Sequence, residues 1–137
     1  MALKRLEITT SGERFYAITK DVSNIVRSEN ISDGIVHLFC MHTSCALTIS
    51  ESYDPSAKDD LENFLKYIAP RNLDFITHDA EGPDDSPSHM KSILTAQSLS
   101  IPVEKGEMCL GTWQGIYLCE FRDDPKSRTI LVKTMTD

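Results

Sequence analysis

Histidines and acids are concentrated in one short stretch of the sequence, HDAEGPDDSPSHM, at residues 78–90. His78 opens the stretch, His89 stands near its end, and four acids lie between them: Asp79, Glu81, Asp84 and Asp85. Imidazole is the commonest protein ligand for zinc-like ions, and a metal-bound histidine usually needs a hydrogen-bond acceptor for its other nitrogen. The two histidines and their neighbouring acids meet both needs of a metal site.

A third histidine, His42, lies at the end of an apolar run, in the segment MHTSC. Three protein ligands and one open position are the usual arrangement for metal-assisted catalysis. The sequence therefore offers His42, His78 and His89 as ligands of a divalent ion of the zinc or magnesium kind.

The spacing of these histidines leaves a second interpretation open. His78 and His89 are eleven residues apart, which matches no standard ligand pair such as HExxH. The same stretch is also consistent with a solvated acidic loop in which Asp84 or Ser86 caps a helix. Helix capping and metal ligation are compatible, so a cap at this position excludes neither interpretation.

The hydroxyl and thiol groups beside His42, in HTSCALT at residues 42–48, raise the question of a covalent nucleophile. Ser44 and Cys45 are adjacent on a predicted strand, where neighbouring side chains point to opposite faces, so no catalytic triad follows. The hydroxyls of Thr43 and Ser44 are better interpreted as hydrogen-bond donors to an anion.

The only tryptophan, Trp113, lies between Gly111 and Gly115 in LGTWQGIYL. The glycines permit a bulge or a close backbone approach, and Trp113 with Gln114 can stack on and hydrogen-bond a flat heterocycle. A tight hairpin with Trp113 packed on the core explains the same residues equally well.

The elements that must position these residues begin with one clearly marked helix. Asp54 is a suitable N-cap, Pro55 suits the first helical position, and Pro70 ends the pattern. Four apolar residues recur at i, i+3, i+4 and i+7 and predict one inward-facing stripe: Leu61, Phe64, Leu65 and Ile68.

Two further helices are predicted by similar patterns. In one, Ser86 is the N-cap, Pro87 takes the first position, and three apolar residues face inward: Met90, Ile93 and Leu94. The other has Asp21 as its N-cap and three apolar residues at helical spacing: Val22, Ile25 and Val26.

The remaining segments are rich in β-branched and aromatic residues, or alternate in polarity, and predict strands. Strands are expected at residues 13–20, 35–41, 45–50, 98–103 and 127–134. Residues 107–122 are expected to form a hairpin centred on Gln114, with Cys109 and Cys119 facing each other across it. The segment LDFIT before His78 is also strand-like.

This order of elements, interspersed at first and ending in consecutive strands, indicates an α+β fold. We expect residues 1–137 to form a single domain, built on a mainly antiparallel β-sandwich with two to three helices. A chain of this length can bury a core without a metal or a disulfide.

The composition excludes several classes of partner. A net charge of −7 argues against nucleic acid, and it means that a phosphorylated ligand needs a local basic site or a bridging cation. No apolar run reaches membrane-spanning length, and the start MALKRLEITT lacks the apolar stretch of a signal peptide. We expect a cytoplasmic protein with no membrane partner, whose four cysteines are reduced.

Three long motifs together resemble the YjbQ-like family, whose members are often described as secondary thiamine-phosphate synthases. The motifs are HTSCALTISESYDPSAKDDL, HDAEGPDDSPSHMKSIL and LGTWQGIYLCEFR, and the resemblance covers nearly the whole chain in the right order. It implies a sandwich fold of about this size, assembly as a homotrimer, and a weak joining of a hydroxymethylpyrimidine diphosphate to a thiazole phosphate.

The resemblance also implies roles for individual residues. The metal ligands fall on the three histidines of the motifs: His42, His78 and His89. The acids implied for catalysis, two of them downstream of HTS, are Asp79, Glu81, Glu51 and Asp60. The residues implied for substrate binding are Thr43, Ser44, Trp113 and Gln114.

Two functions are compatible with these residues. In the first, the chain is a metal-assisted enzyme that acts on phosphorylated heterocyclic metabolites. In the second, the same pocket binds a phosphorylated metabolite without turnover. A purely structural role leaves the cluster of polar motifs unexplained.

Overall fold

The computed structural model describes residues 2–136. Three helices lie in this part of the chain: α1 Thr19–Ser28, α2 Pro55–Ile68 and α3 Asp85–Leu94. The strands there are β1 Lys4–Thr10, β2 Arg14–Ala17, β3 Gly34–Cys40, β4 Cys45–Glu51, β5 Ser98–Glu104, β6 Glu107–Met108, β7 Gln114–Glu120 and β8 Lys126–Thr136.

The strands form two sheets in which every ladder between the described residues is antiparallel. The larger sheet has the order β1-β8-β3-β5-β6, and the smaller has the order β2-β7-β4. The predicted α+β fold with a mainly antiparallel sandwich and two to three helices is therefore confirmed.

The main core lies between the two sheets and is closed by α1. Alternation along β3 turns Val36 and Leu38 inward, while β7 contributes Ile116 and Leu118. Helix α1 adds Val22 to the same cluster. Because side chains alternate across a strand, the other face of β3 is left outside this core.

A short segment between the sheets presents the HTS motif. Residues 41–44 connect the end of β3, in the larger sheet, to the start of β4, in the smaller one. Helix α3 packs against β4, and the Ser92 hydroxyl donates a hydrogen bond to the Cys45 carbonyl. These contacts bring the HTS segment and the helix that carries His89 to the same end of β4.

Strand β1 was not expected from the sequence. Its residues Lys4, Arg5 and Glu7 are charged, and it pairs only with β8 among the described strands, at the edge of the larger sheet. Charged side chains are tolerated on an edge strand, where one face and one side meet water. The strand pattern is therefore weak, although the pairing is regular over Lys4–Thr10.

The predicted hairpin over residues 107–122 is wrong. Strand β6 pairs with β5 in the larger sheet, whereas β7 lies between β2 and β4 in the smaller one. Cys109 is exposed, and Cys119 is buried opposite Phe15 and Ala46. The two cysteines therefore do not face each other.

Helix α2 begins where the sequence predicts, but its apolar stripe is only partly buried. The Asp54 side chain accepts a hydrogen bond from the Ser56 N–H at 2.9 Å, as an N-cap does. Leu65 is buried, whereas Phe64 is 56% exposed, and Ile68 is also exposed. The prediction that all four residues of the stripe face inward is wrong for these two.

Helix α3 begins earlier than predicted and buries a different face. It starts at Asp85, after Asp84, so neither Ser86 nor Pro87 is the boundary. The predicted inward residues Ile93 and Leu94 are exposed, and Met90 is only half-buried. The helix instead buries mostly polar residues: Asp85, Pro87, Ser88, Lys91 and Ser92. Its position is therefore fixed by polar contacts rather than by an apolar stripe.

Two smaller expectations also fail. Helix α1 starts at Thr19 with Ile18 in the capping position, so Asp21 lies in the first turn rather than at the N-cap. The strand-like segment LDFIT, before His78, lies in turns and irregular structure.

Among the described residues, no helix combines the length and the hydropathy needed to span a membrane.

Candidate metal site

Three potential ligand atoms meet at the start of α3. They belong to His78, Asp85 and His89, and all lie within 4.8 Å of one another. Oδ2 of Asp85 is 2.8 Å from Nε2 of His78 and 3.2 Å from Nε2 of His89. Asp85 and His89 share one face of α3 because they are four residues apart. The irregular segment before the helix supplies His78.

The HTS segment fixes which nitrogen of His89 carries a proton. Nδ1 of His89 lies 2.7 Å from the carbonyl oxygen of Thr43, which can only accept a hydrogen bond. His89 therefore donates from Nδ1, and in a neutral ring the lone pair is on Nε2. That lone pair faces the Asp85 carboxylate.

Two lone pairs facing each other repel unless a positive charge lies between them. The carboxylate of Asp85 accepts hydrogen bonds and offers no proton when ionised, so a proton or a metal ion must join it to Nε2 of His89. Neighbouring ligand atoms at about 2.1 Å from one ion are separated by roughly 3.0–3.4 Å in octahedral or tetrahedral geometry. The distances of 2.8 and 3.2 Å are close to this range.

Arg122 holds the carboxylate of Asp85 from the other side. Its Nη1 donates to Oδ1 of Asp85 at 2.7 Å, and its Nε donates to Asp84 at 3.0 Å. Burial alone would raise the pKa of Asp84, but the Asp123 N–H and the Arg122 guanidinium outweigh it and lower the pKa. Both acids at the start of α3 are thus held by one guanidinium.

The cluster opens into a cavity of about 650 Å³. Two members of the cluster line it, together with a third histidine, hydroxyl and amide groups and one apolar side chain. The full lining is His42, Thr43, His78, Ser86, His89, Ser92, Ile93 and Gln97. No lysine or arginine is among these described lining residues. An anionic ligand in the cavity therefore depends on a bound cation or on neutral hydrogen-bond donors for its binding.

His42 lines the same cavity but is not part of the three-atom cluster. Its Nε2 accepts a hydrogen bond from the Thr129 N–H at 2.8 Å, so in the neutral ring Nδ1 carries the proton and can donate to a ligand, whereas binding a metal ion would require Nε2 to give up this hydrogen bond. Burial, followed by the charge of Arg128, lowers the pKa of His42 below its usual value. The role of His42 as a metal ligand stays a prediction, and Asp85 is the group that the structure brings beside His78 and His89.

A buried ion pair contacts the HTS segment. Glu120 is fully buried and accepts hydrogen bonds from Arg128 and from the Thr10 hydroxyl. Arg128 also donates to Oγ of Ser44 at 2.9 Å. The Ser44 hydroxyl is therefore turned toward this ion pair rather than toward the cavity, whereas Thr43 lines the cavity.

The GTWQG motif lies at the opposite end of the β4–β7 ladder. Gln114 pairs with Glu51, whereas Cys45, next to the HTS segment, pairs with Glu120. Six residue steps along a strand span about 20 Å. Within one chain, Trp113, Gln114 and Glu51 are therefore separated from the histidine cluster.

The contacts of these residues are local. Trp113 is 56% exposed and lies edge-on to Tyr53 with ring centroids 5.0 Å apart, so the alternative in which it packs on the core is wrong. The Gln114 side chain accepts a hydrogen bond from the Gly111 N–H. The Glu51 carboxylate accepts one from the Asp54 N–H.

The other predicted catalytic acids are exposed and do not line the cavity. Asp60 lies on α2, and Asp79 and Glu81 lie in the turns before α3. Glu81 contributes its carbonyl oxygen, which accepts a hydrogen bond from Arg122 at 2.8 Å. No contact of these three carboxylates connects them with the histidine cluster among the residues described.

Sequence reasoning named Asp85 only as one of several nearby acids and did not single out Arg122. The signal for Asp85 was its spacing of four residues from His89, which places both on one helical face once α3 begins at Asp85. No local signal marks Arg122, because it comes from the segment after β7, 37 residues further along the chain than Asp85.

Comparisons with known proteins agree with this fold. The model of the family described as UPF0047 protein YjbQ-like matches residues 4–137. The YjbQ protein of Escherichia coli O157:H7 is 39% identical over 129 residues, covering 93% of each chain. The YugU protein of Bacillus subtilis is 37% identical over 134 residues, covering 97% of this chain and 98% of its own.

Solved structures of two related proteins match this chain over nearly its whole length. A crystal structure of an uncharacterised YjbQ/UPF0047 protein from Clostridium acetobutylicum has a TM-score of 0.88 and 36% identity, and the match covers 96% of this chain and 99% of that one. The conserved hypothetical protein TT1486 of Thermus thermophilus has a TM-score of 0.86 and 39% identity, with the same coverage.

Proposed function

The chain belongs to the UPF0047 family of YjbQ-like proteins. From the geometry of its histidine cluster, we propose that it is a metal-assisted enzyme that acts on phosphorylated small molecules. One observation carries the proposal: ligand atoms of His78, Asp85 and His89 converge at the wall of an open cavity. A converging set of this kind, with positions left for substrate, is the arrangement used in metal-assisted catalysis.

Each of the three residues offers one ligand atom to the ion. His78 and His89 offer imidazole nitrogens, and Asp85 offers Oδ2, while Thr43 and Arg122 orient His89 and Asp85. Two imidazoles and one carboxylate suit zinc or ferrous iron, whereas magnesium prefers oxygen ligands. We therefore propose zinc as the first ion to test.

A bound cation also explains how an acidic protein holds a phosphorylated ligand. The net charge is −7, and the described lining of the cavity includes no basic side chain other than histidine. A divalent ion supplies the positive charge that phosphate oxygens need. The hydroxyls of Thr43 and Ser86 are available to donate hydrogen bonds to the same ligand.

The family resemblance offers a specific reaction to test. A hydroxymethylpyrimidine diphosphate is joined to a thiazole phosphate, and diphosphate leaves. The ion would bind the diphosphate oxygens and stabilise the charge that develops on the leaving group. The chain's own residues would position the ion through Asp85 and His89 and hydrogen-bond the phosphate through the cavity hydroxyls.

Turnover by metal-loaded protein tests this proposal. Dialysed protein would be analysed for metal, loaded with zinc, magnesium or ferrous ion, and assayed for thiamine phosphate and diphosphate. We expect product only with metal, and its loss in H89A. The control is D74N, because Asp74 is exposed in the loop before His78 and does not line the cavity. Metal-independent product, or full activity in H89A, would contradict the proposal.

A second candidate function is supported by what surrounds the cavity. None of the four acids expected to be catalytic lines it: Glu51, Asp60, Asp79 and Glu81. If no other group at the cavity transfers a proton, the same metal site can hold a phosphorylated metabolite without turnover. In that case, calorimetry shows metal-dependent binding of the diphosphate, and long incubation gives no product.

We also propose that the chain assembles as a homotrimer through the outer face of the larger sheet. Ile35 and Phe39 of β3 and Met135 of β8 are exposed there, and Ile35 is directly opposite Met135 in the ladder. Several exposed apolar side chains on one face of a sheet are consistent with an interaction surface.

A further inference from the structure

Two buried cysteines lie in contact directly beside the HTS segment. Cys40 ends β3 and Cys45 begins β4, and their Sγ atoms are 3.6 Å apart. Both side chains are buried, Cys40 at 2% exposure and Cys45 at 0%. The four residues between them, Met41–Ser44, include His42 and Thr43 of the cavity wall.

The environment of the pair is polar for a buried site. The Cys40 thiol is placed to donate to the Cys45 carbonyl at 3.5 Å, and the backbone N–H of His42 faces the Cys40 sulfur. The Arg128–Glu120 ion pair lies close enough for its charges to act on both thiols. The two sulfurs are therefore held together by the fold rather than brought into contact by flexible side chains.

We infer that Cys40 and Cys45 form a reversible disulfide when the protein meets hydrogen peroxide, and that the disulfide controls the histidine site. The deprotonated sulfur of one cysteine attacks a peroxide oxygen and forms a sulfenic acid, and water leaves after proton uptake. The second sulfur then attacks the first, the S–S bond forms, and a second water leaves. One peroxide is reduced, two thiols are oxidised, and a dithiol reductant reverses the change.

Closing the bond is expected to shift the HTS segment. A disulfide requires an S–S distance of about 2.05 Å, so the sulfurs must approach each other from 3.6 Å. The connection between them is only four residues long, Met41–Ser44, and cannot absorb the change in a distant loop. Side-chain rotation takes up part of the approach, and we expect the strand ends or the connecting backbone to take up the rest.

The shift reaches the metal site through one hydrogen bond. The Thr43 carbonyl accepts from Nδ1 of His89 at 2.7 Å and so keeps Nε2 available for the ion. Loss of an acceptor that orients a ligating histidine typically lowers metal affinity by about 10- to 100-fold. Oxidation of the pair is therefore expected to weaken metal binding. Only this last step rests on the proposed metal site.

Peptide mass spectrometry tests the bond itself on metal-free protein. Trypsin releases residues 28–58 as one peptide that contains both cysteines. After peroxide treatment and alkylation, we expect this peptide to lose the mass of two hydrogens and both alkylation sites. Dithiothreitol should restore both sites. C109S is the background, because exposed Cys109 can otherwise link two chains.

Matched variants identify the pair. C45A should abolish the mass change, and C40A serves the same purpose if C45A does not fold. C119A removes a buried thiol outside the pair and should leave the change intact. Stepwise oxygen addition at Cys40 or Cys45, with no disulfide, would overturn the inference.

Heteronuclear NMR and calorimetry test the coupling. In metal-free protein, the disulfide should shift the imidazole nitrogen signals of His89, and C45A should remove this response to peroxide. Zinc affinity should fall about tenfold or more on oxidation. If zinc binds neither form but the His89 signals shift, the metal proposal fails and the switch stands. A disulfide that leaves the His89 signals unchanged removes the coupling.

Discussion

Arg122 binds one oxygen of Asp85 and leaves the other for the histidines. Nη1 of Arg122 donates to Oδ1 at 2.7 Å, while Oδ2 of the same carboxylate lies 2.8 Å from Nε2 of His78. A carboxylate held on one side in this way offers a single oriented ligand atom on the other. The ion pair therefore positions Asp85 without occupying the oxygen that faces the cluster.

Replacing Asp85 with asparagine tests whether the carboxylate is a ligand. The change keeps the side-chain shape but removes the negative charge that faces two imidazoles. We expect zinc affinity, measured by calorimetry, to fall by at least about 100-fold. D74N, an exposed acid in the preceding loop, is the control and should bind zinc like the parent protein. Equal affinity in D85N and the parent protein would show that zinc binds elsewhere.

Replacing Arg122 with lysine separates charge from orientation. Lysine keeps the positive charge but lacks the planar fork that reaches Asp84 and Asp85 together. We expect zinc affinity to fall about tenfold, with near-ultraviolet circular dichroism unchanged. If R122K binds zinc as tightly as the parent protein, Arg122 contributes charge but does not position Asp85.

The parts of the fold that were predicted correctly depend on local chemistry. The N-cap Asp54 and the following Pro55 specify the start of α2 through contacts within one turn. Strands β3 and β4 fall within one residue of their expected bounds because their β-branched content is a local signal.

The errors come from residues whose partners are distant in sequence. Lys91 is buried in α3 because it pairs with Glu13 at 2.6 Å, and this contact rotates Ile93 and Leu94 outward. The hairpin failed because adjacent β6 and β7 join different sheets. The site followed the same rule: the histidines were found by residue type, but the orientation of Asp85 depends on Arg122, which no local pattern reveals.

The lowered pKa of His42 has a consequence for stability. Burial, then the charge of Arg128, favours the neutral ring in the folded state and lowers its pKa. Between the lowered pKa of the folded state and the usual value of 6.5, the unfolded chain binds more protons at this ring than the folded chain does. The free energy of unfolding should therefore decrease as pH falls through this window.

H42Q tests this, because a glutamine side chain can still accept the hydrogen bond from the Thr129 N–H but does not titrate. Urea unfolding between about pH 7.5 and about pH 5 should show a weaker pH dependence in H42Q than in the parent protein. NMR titration of the His42 ring should give a midpoint below 6.5. A midpoint at or above that value contradicts the prediction.

The outer face of the larger sheet should determine the oligomeric state. Light scattering on the purified protein is expected to give three times the chain mass of 15.4 kDa. Phe39 is 44% exposed on this face, and F39D should reduce the mass to that of one chain. Y67D changes an exposed aromatic residue on α2 and should leave the trimer intact. A trimer in F39D would move the interface to another surface.

The buried ion pair beneath the HTS segment should contribute far more to stability than the ion pairs at the surface. Glu120 is fully buried, and E120Q leaves Arg128, which is also buried, without its counter-charge. Removing one partner of a buried pair typically lowers the free energy of unfolding by about 3–5 kcal/mol. Urea unfolding measures the loss directly.

The matched control for E120Q is D123N, which removes the charge of Asp123 from its pair with Arg71 at the surface. Exposed pairs contribute about 0–1 kcal/mol, so D123N should change the free energy of unfolding by no more than that. Because Arg128 also donates to Ser44, E120Q should in addition disturb the HTS segment and shift the His89 signals. Equal losses in E120Q and D123N would show that the buried pair has no special role in supporting the site.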